Sequence, residues 1–216
     1  MAARKTQTPA KPAEVQVQLR PVEFKHLRVR IEGLNQYVQH QWDEKNRKQI
    51  RDKKTGERPK GTVARPKCVP EDECTAAMYQ LSDGSHAIPV TSIKKAMLGA
   101  AHKDYGLPKT VVAGSIFIHA EEGTLTKLDT PGYKMREDVV RVGNQQADLR
   151  YRPEFERWGV DLLIEYDSET LNPELIVNLL ERAGRKIGIG EGRPEKQSGL
   201  DWGRFTVKSS KEVKAR

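Results

Sequence analysis

The order in which apolar residues change their spacing constrains this chain more than any other feature. From Phe24 to Glu32 apolar and polar residues alternate, with Leu27, Val29 and Ile31 on one face, which predicts a strand ended by Gly33. Arg28 and Arg30 fall among the polar positions, where the solvated face of a one-sided antiparallel sheet and a ligand-facing role are both open. The spacing then becomes helical. Ile93, Ala96, Met97, Ala100 and Ala101 form a buried stripe behind a Thr91 or Ser92 cap, with Lys94, Lys95 and His102 outward and Tyr105-Gly106 as the stop. A second strand is predicted from Lys109 to Ala120, carrying Val111, Val112, Ile116, Phe117 and Ile118. Trp158, Val160, Leu162 and Ile164 alternate as a third. Asn172-Pro173-Glu174 supplies a cap, a first-turn proline and an acidic residue for a helix whose stripe is Leu175, Ile176, Leu179, Leu180 and Ala183, closed by Gly184. Arg204 to Lys208, with Phe205 and Val207 on one face, supplies the last strand.

Strand, helix, strand, strand, helix, strand is the ferredoxin-like (RRM-like) order, an α+β βαββαβ domain with both helices on one face of an antiparallel sheet. A length of 216 residues suits one such domain with insertions. We place it at residues 22–209, between a flexible tail at 1–21 and a basic tail at 210–216. Two segments exceed simple connections. Residues 35–67 are polar and basic, punctuated by Gly56, Pro59, Gly61 and Pro66, and offer no core stripe; 121–156 is broken by Pro131-Gly132, Gly143-Asn144 and Arg152-Pro153 and predicts an inserted hairpin. Between them, Pro70 opens a short helix over Glu71 to Leu81, and Ser82-Asp83-Gly84-Ser85 makes a turn.

Charge narrows the function. Lys45, Arg47, Lys48, Arg51, Lys53, Lys54, Arg58, Lys60, Arg65 and Lys67 stand against only Asp52 and Glu57, so this stretch alone carries the chain's whole net charge of +8. Solubility is served by interspersed signs, whereas a concentrated block suits a polyanion. Arg47, Lys48, Arg51, Lys53 and Lys54 are therefore predicted phosphate ligands. Cys68 and Cys74, with no histidine pair at zinc spacing, indicate neither a disulfide framework nor a structural metal site, and no cofactor is expected. Histidines 26, 40, 86, 102 and 119 are scattered and form no nucleophile, zinc or paired-acid pattern. The opening Met1-Ala-Ala-Arg-Lys offers no apolar stretch for a signal peptide, and no run suits a membrane span, so a cytoplasmic protein without a membrane partner is expected.

Before the last strand lies a loop running from Ile187 to Phe205, with Gly188, Gly190, Gly192, Gly199 and Gly203. Glycines admit close approach and can turn successive amides toward an anion, while Lys186, Arg193, Lys196 and Arg204 add charge. The loop follows a helix and precedes a strand, the reverse of a dinucleotide-binding turn or a Walker loop, and it lacks Gly-Lys-Ser/Thr. Tyr37, Trp42, Tyr133, Tyr151 and Trp202 lie in or beside the loops, where base stacking would contribute about 1–3 kcal/mol each. Trp158 and Phe117 are expected in the core.

The element order, this loop, and Ile88-Pro89-Val90-Thr91-Ser92-Ile93-Lys94-Lys95-Ala96-Met97 resemble the repeat-associated mysterious protein superfamily, whose members form the backbone of CRISPR effector complexes. The family's form of this segment is Ile-Pro-x-Ser/Thr-Ser-Leu-Lys-Gly. The resemblance covers residues 24–208 and implies single-stranded RNA or DNA along the helix start, including Lys94 and Lys95, and along the basic sheet face. It further implies copies arrayed head to tail, contacts with other effector subunits, a thumb-like hairpin at 121–156 and a flap at 35–67 over the strand. Three functions remain open: a non-catalytic binder, an assembly protein of phage type, and an endoribonuclease using Asp43 or His40.

Overall fold

The computed structural model describes residues 22–41, 44–56, 68–142 and 146–213. In chain order the elements are β1 (Phe24–Gly33), β2 (Tyr37–Val38), α1 (Glu44–Thr55), α2 (Pro70–Ala76), β3 (Ala87–Pro89), α3 (Val90–Tyr105), α4 (Lys109–Ser115), β4 (Ile116–His119), β5 (Leu125–Lys127), β6 (Lys134–Val142), β7 (Gln146–Phe155), β8 (Gly159–Asp167), α5 (Pro173–Arg182) and β9 (Phe205–Val213). The main sheet runs β4-β8-β1-β9, antiparallel throughout. Strands β2, β7 and β6 form a second antiparallel sheet, and β3 pairs with β5. This is a mixed, α+β architecture.

The period-2 segments bury one face each. Leu27, Val29 and Ile31 of β1 lie beside Val160, Leu162, Ile164 and Tyr166 of β8, all at most 2% exposed. Helix α3 covers them with Ile93, Ala96, Met97, Ala100 and Ala101, and α5 with Ile176, Leu179 and Leu180, in one apolar cluster. The Asn172 side chain accepts from the Leu175 amide at 2.8 Å, and Pro173 sits in the first turn, so the α5 start forms as its sequence predicts.

Several expectations need correcting. Residues 109–115 are helix, not strand: Pro108 precedes the first turn, and Val112 and Ser115, three apart, are the buried pair, leaving Val111 46% exposed. Only 116–119 joins the sheet, and Phe117 faces solvent at 43% exposure instead of entering the core. Thr91 and Ser92 do not cap α3, whose N-cap position is Pro89; the Ser92 hydroxyl donates back to the Pro89 carbonyl at 2.7 Å. Gly184 does not end α5, because a π-helical turn over Ala183–Ile187 carries on to Gly188. It lies buried with the Phe205 carbonyl against it, at a distance where a Cβ would clash.

The segment 35–67 is not all surface. Tyr37 and Val38 are buried, and Tyr37 packs against Phe155 and Trp158, so it is a core residue with no free face for a base. The basic run from 44 forms helix α1; residues 57–67 lie outside the described residues. The helix predicted over 71–81 ends at Ala76. In 121–156, β6 and β7 make a nine-pair hairpin. Strand β9 extends to Val213, into the stretch read as a tail.

Candidate nucleic-acid interface

The glycine-rich loop is built inward before it is built outward. Ile187 and Ile189 are 4% and 1% exposed, anchoring alternate positions in the core. Between and beyond them the chain reverses at Gly190 and Gly192, both at left-handed φ (75° and 61°). A Cβ on Gly190 would stand 2.6 Å from the Tyr37 ring and the Val38 carbonyl, and one on Gly192 would meet the Trp202 ring. The loop amides close the fold: Gly188 donates to Ala183 at 2.9 Å, Ile189 to Gly203 at 3.0 Å and Glu191 to Val38 at 3.0 Å. At these positions the expected run of amides around an anion is therefore not formed, since loop closure has used their donors.

What the loop does create is a cleft of about 460 Å³. One wall is Gly188 to Glu191 with Arg193; another is Tyr37, Gln39 and His40; α1 adds Arg47; α3 contributes Thr91, Ser92 and Lys95 from its first turns. Helix α3 has 16 residues and no side-chain cap; the Thr124 carbonyl takes its Val90 amide at 2.9 Å, and the rest of its positive first turn, with Thr91 and Ser92, lines the cleft. Gln39 fastens this wall: 1% exposed, its amide donates to the Ala87 carbonyl at 2.7 Å and accepts from the Tyr79 amide at 2.9 Å.

The predicted cations divide into spent and unspent charges. Arg30 bonds both Asp129 and Asp161; Lys186 pairs with Asp104 at 2.9 Å, Lys196 with Glu191 at 2.7 Å and Arg193 with Glu195 at 3.3 Å. Arg204 donates to the Arg185 carbonyl at 3.1 Å, and Lys94 to the Ala113 carbonyl at 2.9 Å while lying over the Phe117 ring. Among the described residues, Arg28, Arg47, Lys48, Arg51, Lys54 and Lys95 are exposed and no ion pair is recorded for them. Arg47 and Lys95 meet at the cleft; Arg28 projects from the opposite, outer face of the main sheet. Trp42, Asp43 and the Lys53 side chain lie outside the described residues. Trp202 is already covered, with the Arg136 guanidinium 4.1 Å from its ring centre. Tyr133 packs on His86 and Phe155 yet stays 44% exposed, and Tyr151 is half-buried.

Burial, helped by Arg152 and Arg150, holds His40 below the usual imidazole range against the pull of Glu191 and Glu73, so it is a neutral ring at physiological pH. Burial alone would raise Glu191, but the hydrogen bond and charge of Lys196, helped by Arg152, outweigh it and its carboxyl ends below the usual range. Burial raises the Tyr37 phenol, which keeps its proton. The cleft thus offers a helix start, the Thr91 hydroxyl and, among the described residues, two cations without an ion pair, Arg47 and Lys95, while its Glu191 and Glu195 are paired with Lys196 and Arg193. Sequence reasoning missed Gln39 and Tyr79, which sit in no periodic pattern, and read Thr91 and Ser92 as caps.

Neither a protein-family model nor a curated protein matches the chain. Among solved structures it is similar to a chain of the Type III-B Cmr-beta bound to cognate target RNA, seen by cryo-electron microscopy, at 9% identity and a TM-score of 0.52 over 89% of this chain. This chain spans 62% of that chain's length. Cmr6 from Pyrococcus furiosus matches at 11% identity and TM-score 0.43, over 87% of this chain and all of that one. Csc2 from Thermofilum pendens matches at 11% identity and TM-score 0.34, over 89% of this chain and 68% of that one. Among the described residues no helix is long and apolar enough to cross a membrane. At this identity the likeness is one of fold: the chain folds like a chain of the Type III-B Cmr-beta.

Proposed function

We propose that this chain is a non-catalytic subunit that binds single-stranded nucleic acid along its phosphate backbone and assembles side by side with copies of itself or other effector subunits. The observation that carries the reading is the convergence of Arg47, Lys95 and the uncapped start of α3 on one cleft. A helix start with two cations is a phosphate site that reads no base, so little sequence preference is expected. The main-sheet order β4-β8-β1-β9 supports a ferredoxin-like core, since the four strands then stand second, third, first and fourth in that fold's chain order. The RNA held by the Cmr-beta structure favours RNA over DNA as the ligand.

One observation favours binding over cleavage: the His40 Nδ1 is buried without a hydrogen-bond partner, so among the described residues no acid or base orients the ring as a catalytic pair requires. Assembly is supported by the β6–β7 hairpin, where Val139 and Leu149 stand directly opposite each other at 73% and 44% exposure. Competition among unlabelled ribo- and deoxyribo-homopolymers for a fluorescent single strand tests the reading. Similar displacement by different RNA homopolymers, weaker displacement by duplex and an uncut probe are expected. Strong preference for one short sequence, or for duplex, contradicts it.

A further inference from the structure

The outer face of the main sheet carries a cluster that the cleft does not use. His26 on β1 is the register partner of Glu165 on β8, and β4 on the far side of β8 brings in His119. One ligand atom from each of the three lies within 4.8 Å of the others. His119 Nε2 is 3.1 Å from Glu165 Oε2, and the two imidazoles lie near-parallel with centres 5.8 Å apart. His26 Nδ1 is buried with no hydrogen-bond partner. All three side chains rise from paired strands, a rigid base for a ligand set.

Two imidazoles and one carboxylate are the donors that borderline divalent ions such as Zn2+ take, whereas Mg2+ and Ca2+ ask for more oxygens. Zinc bonds of about 2.0–2.1 Å in a tetrahedron set neighbouring ligand atoms about 3.3 Å apart. The His119–Glu165 edge already has nearly that length, and side-chain torsions alone can draw in the third group. The cluster is open: the His119 side chain is 45% exposed and that of Glu165 29%.

We propose that His26, His119 and Glu165 form a site for a Zn2+-class ion, with three protein ligands and a remaining position open to solvent. The site is separate from the cleft, because it lies on the sheet face away from α3 and α5. Nothing in it depends on nucleic-acid binding, so it stands or falls independently of the proposed function.

Zinc titration of the full-length chain, after chelator treatment, against a chromophoric competitor tests the proposal. One equivalent is expected in the unaltered chain, with apparent affinity lowered at least about tenfold in His26→Ala and in Glu165→Gln and unchanged in His102→Ala. Glu165→Gln is nearly isosteric, so it keeps the test sharp if His26→Ala folds poorly. With Co2+ as a spectroscopic stand-in, an absorption band of low-coordinate cobalt should appear in the unaltered chain and vanish in Glu165→Gln. Absence of saturable uptake by the unaltered chain overturns the site, as does uptake that both substitutions leave unchanged.

Discussion

Lys95 and Arg30 look alike in the sequence, one basic residue each on a periodic element, yet their charges have different fates. Arg30 lies between Asp129 and Asp161, while Lys95 stands exposed at the mouth of the cleft with no ion pair recorded. A cation whose field is already cancelled gives little to a phosphate, because binding would first have to break the internal pair. Lys95→Ala should therefore flatten the dependence of log affinity on log salt by about one unit, whereas Arg30→Ala should leave the slope unchanged and lower stability by about 1 kcal/mol. Salt-titrated fluorescence anisotropy with parallel urea melts distinguishes the two; equal slope losses would mean that the internal pairing is irrelevant to binding. Sequence alone could not make this division. Asp129 and Asp161 are 99 and 131 positions from Arg30, and only the strand register brings them together.

Elements were legible where one periodicity dominated. The stripe of α5, its Asn172 cap and the alternation of β1 and β8 all describe surfaces packed on a single core, so local pattern and tertiary demand agree. They disagreed at 109–115, where Val111 and Val112 favour strand but Pro108 and the burial of Val112 with Ser115 impose a helical turn. Tyr37 and Val38 were hidden for another reason: a two-residue strand is too short to show a period. The seam between α5 and β9 rests on Glu181, which accepts from the Val207 amide at 2.8 Å and from Thr206, and bonds Arg185. Burial works against its charge, but these donors prevail and hold its carboxyl below the ordinary value of 4.5. A carboxyl depressed in the folded state contributes stability above its unfolded value and loses it as pH falls through the folded one. Glu181→Gln should then be less stable by about 1–2 kcal/mol at neutral pH, with the difference shrinking below about pH 4. Urea denaturation across that range reads it; a pH-independent difference would place the cost in packing.

For the whole molecule, the proposal pairs the cleft as phosphate site with the β6–β7 hairpin as contact to the next subunit. An apolar pair exposed on the hairpin, Val139 opposite Leu149, costs solubility unless something covers it, and a heterologous contact of this kind propagates along a strand. Val139→Asp combined with Leu149→Asp should reduce cooperativity on a long single-stranded RNA several-fold while leaving affinity for a short oligonucleotide unchanged. Electron microscopy should show the unaltered chain as regular rods on long RNA. The mixed α/β character with antiparallel strands was readable because it follows from core burial; the cleft was only half readable, since Lys95 and the glycines stand out in the sequence but α1 carries no apolar stripe. The most direct test of the central claim is the salt slope of the unaltered chain beside that of a variant with Arg47, Lys48, Arg51 and Lys95 all replaced by alanine, which is compatible with helix at each position. The account predicts a steep slope for the unaltered chain, reduced by about one unit for each replaced phosphate contact in a variant that still folds. A folded variant with the same slope and affinity would contradict it.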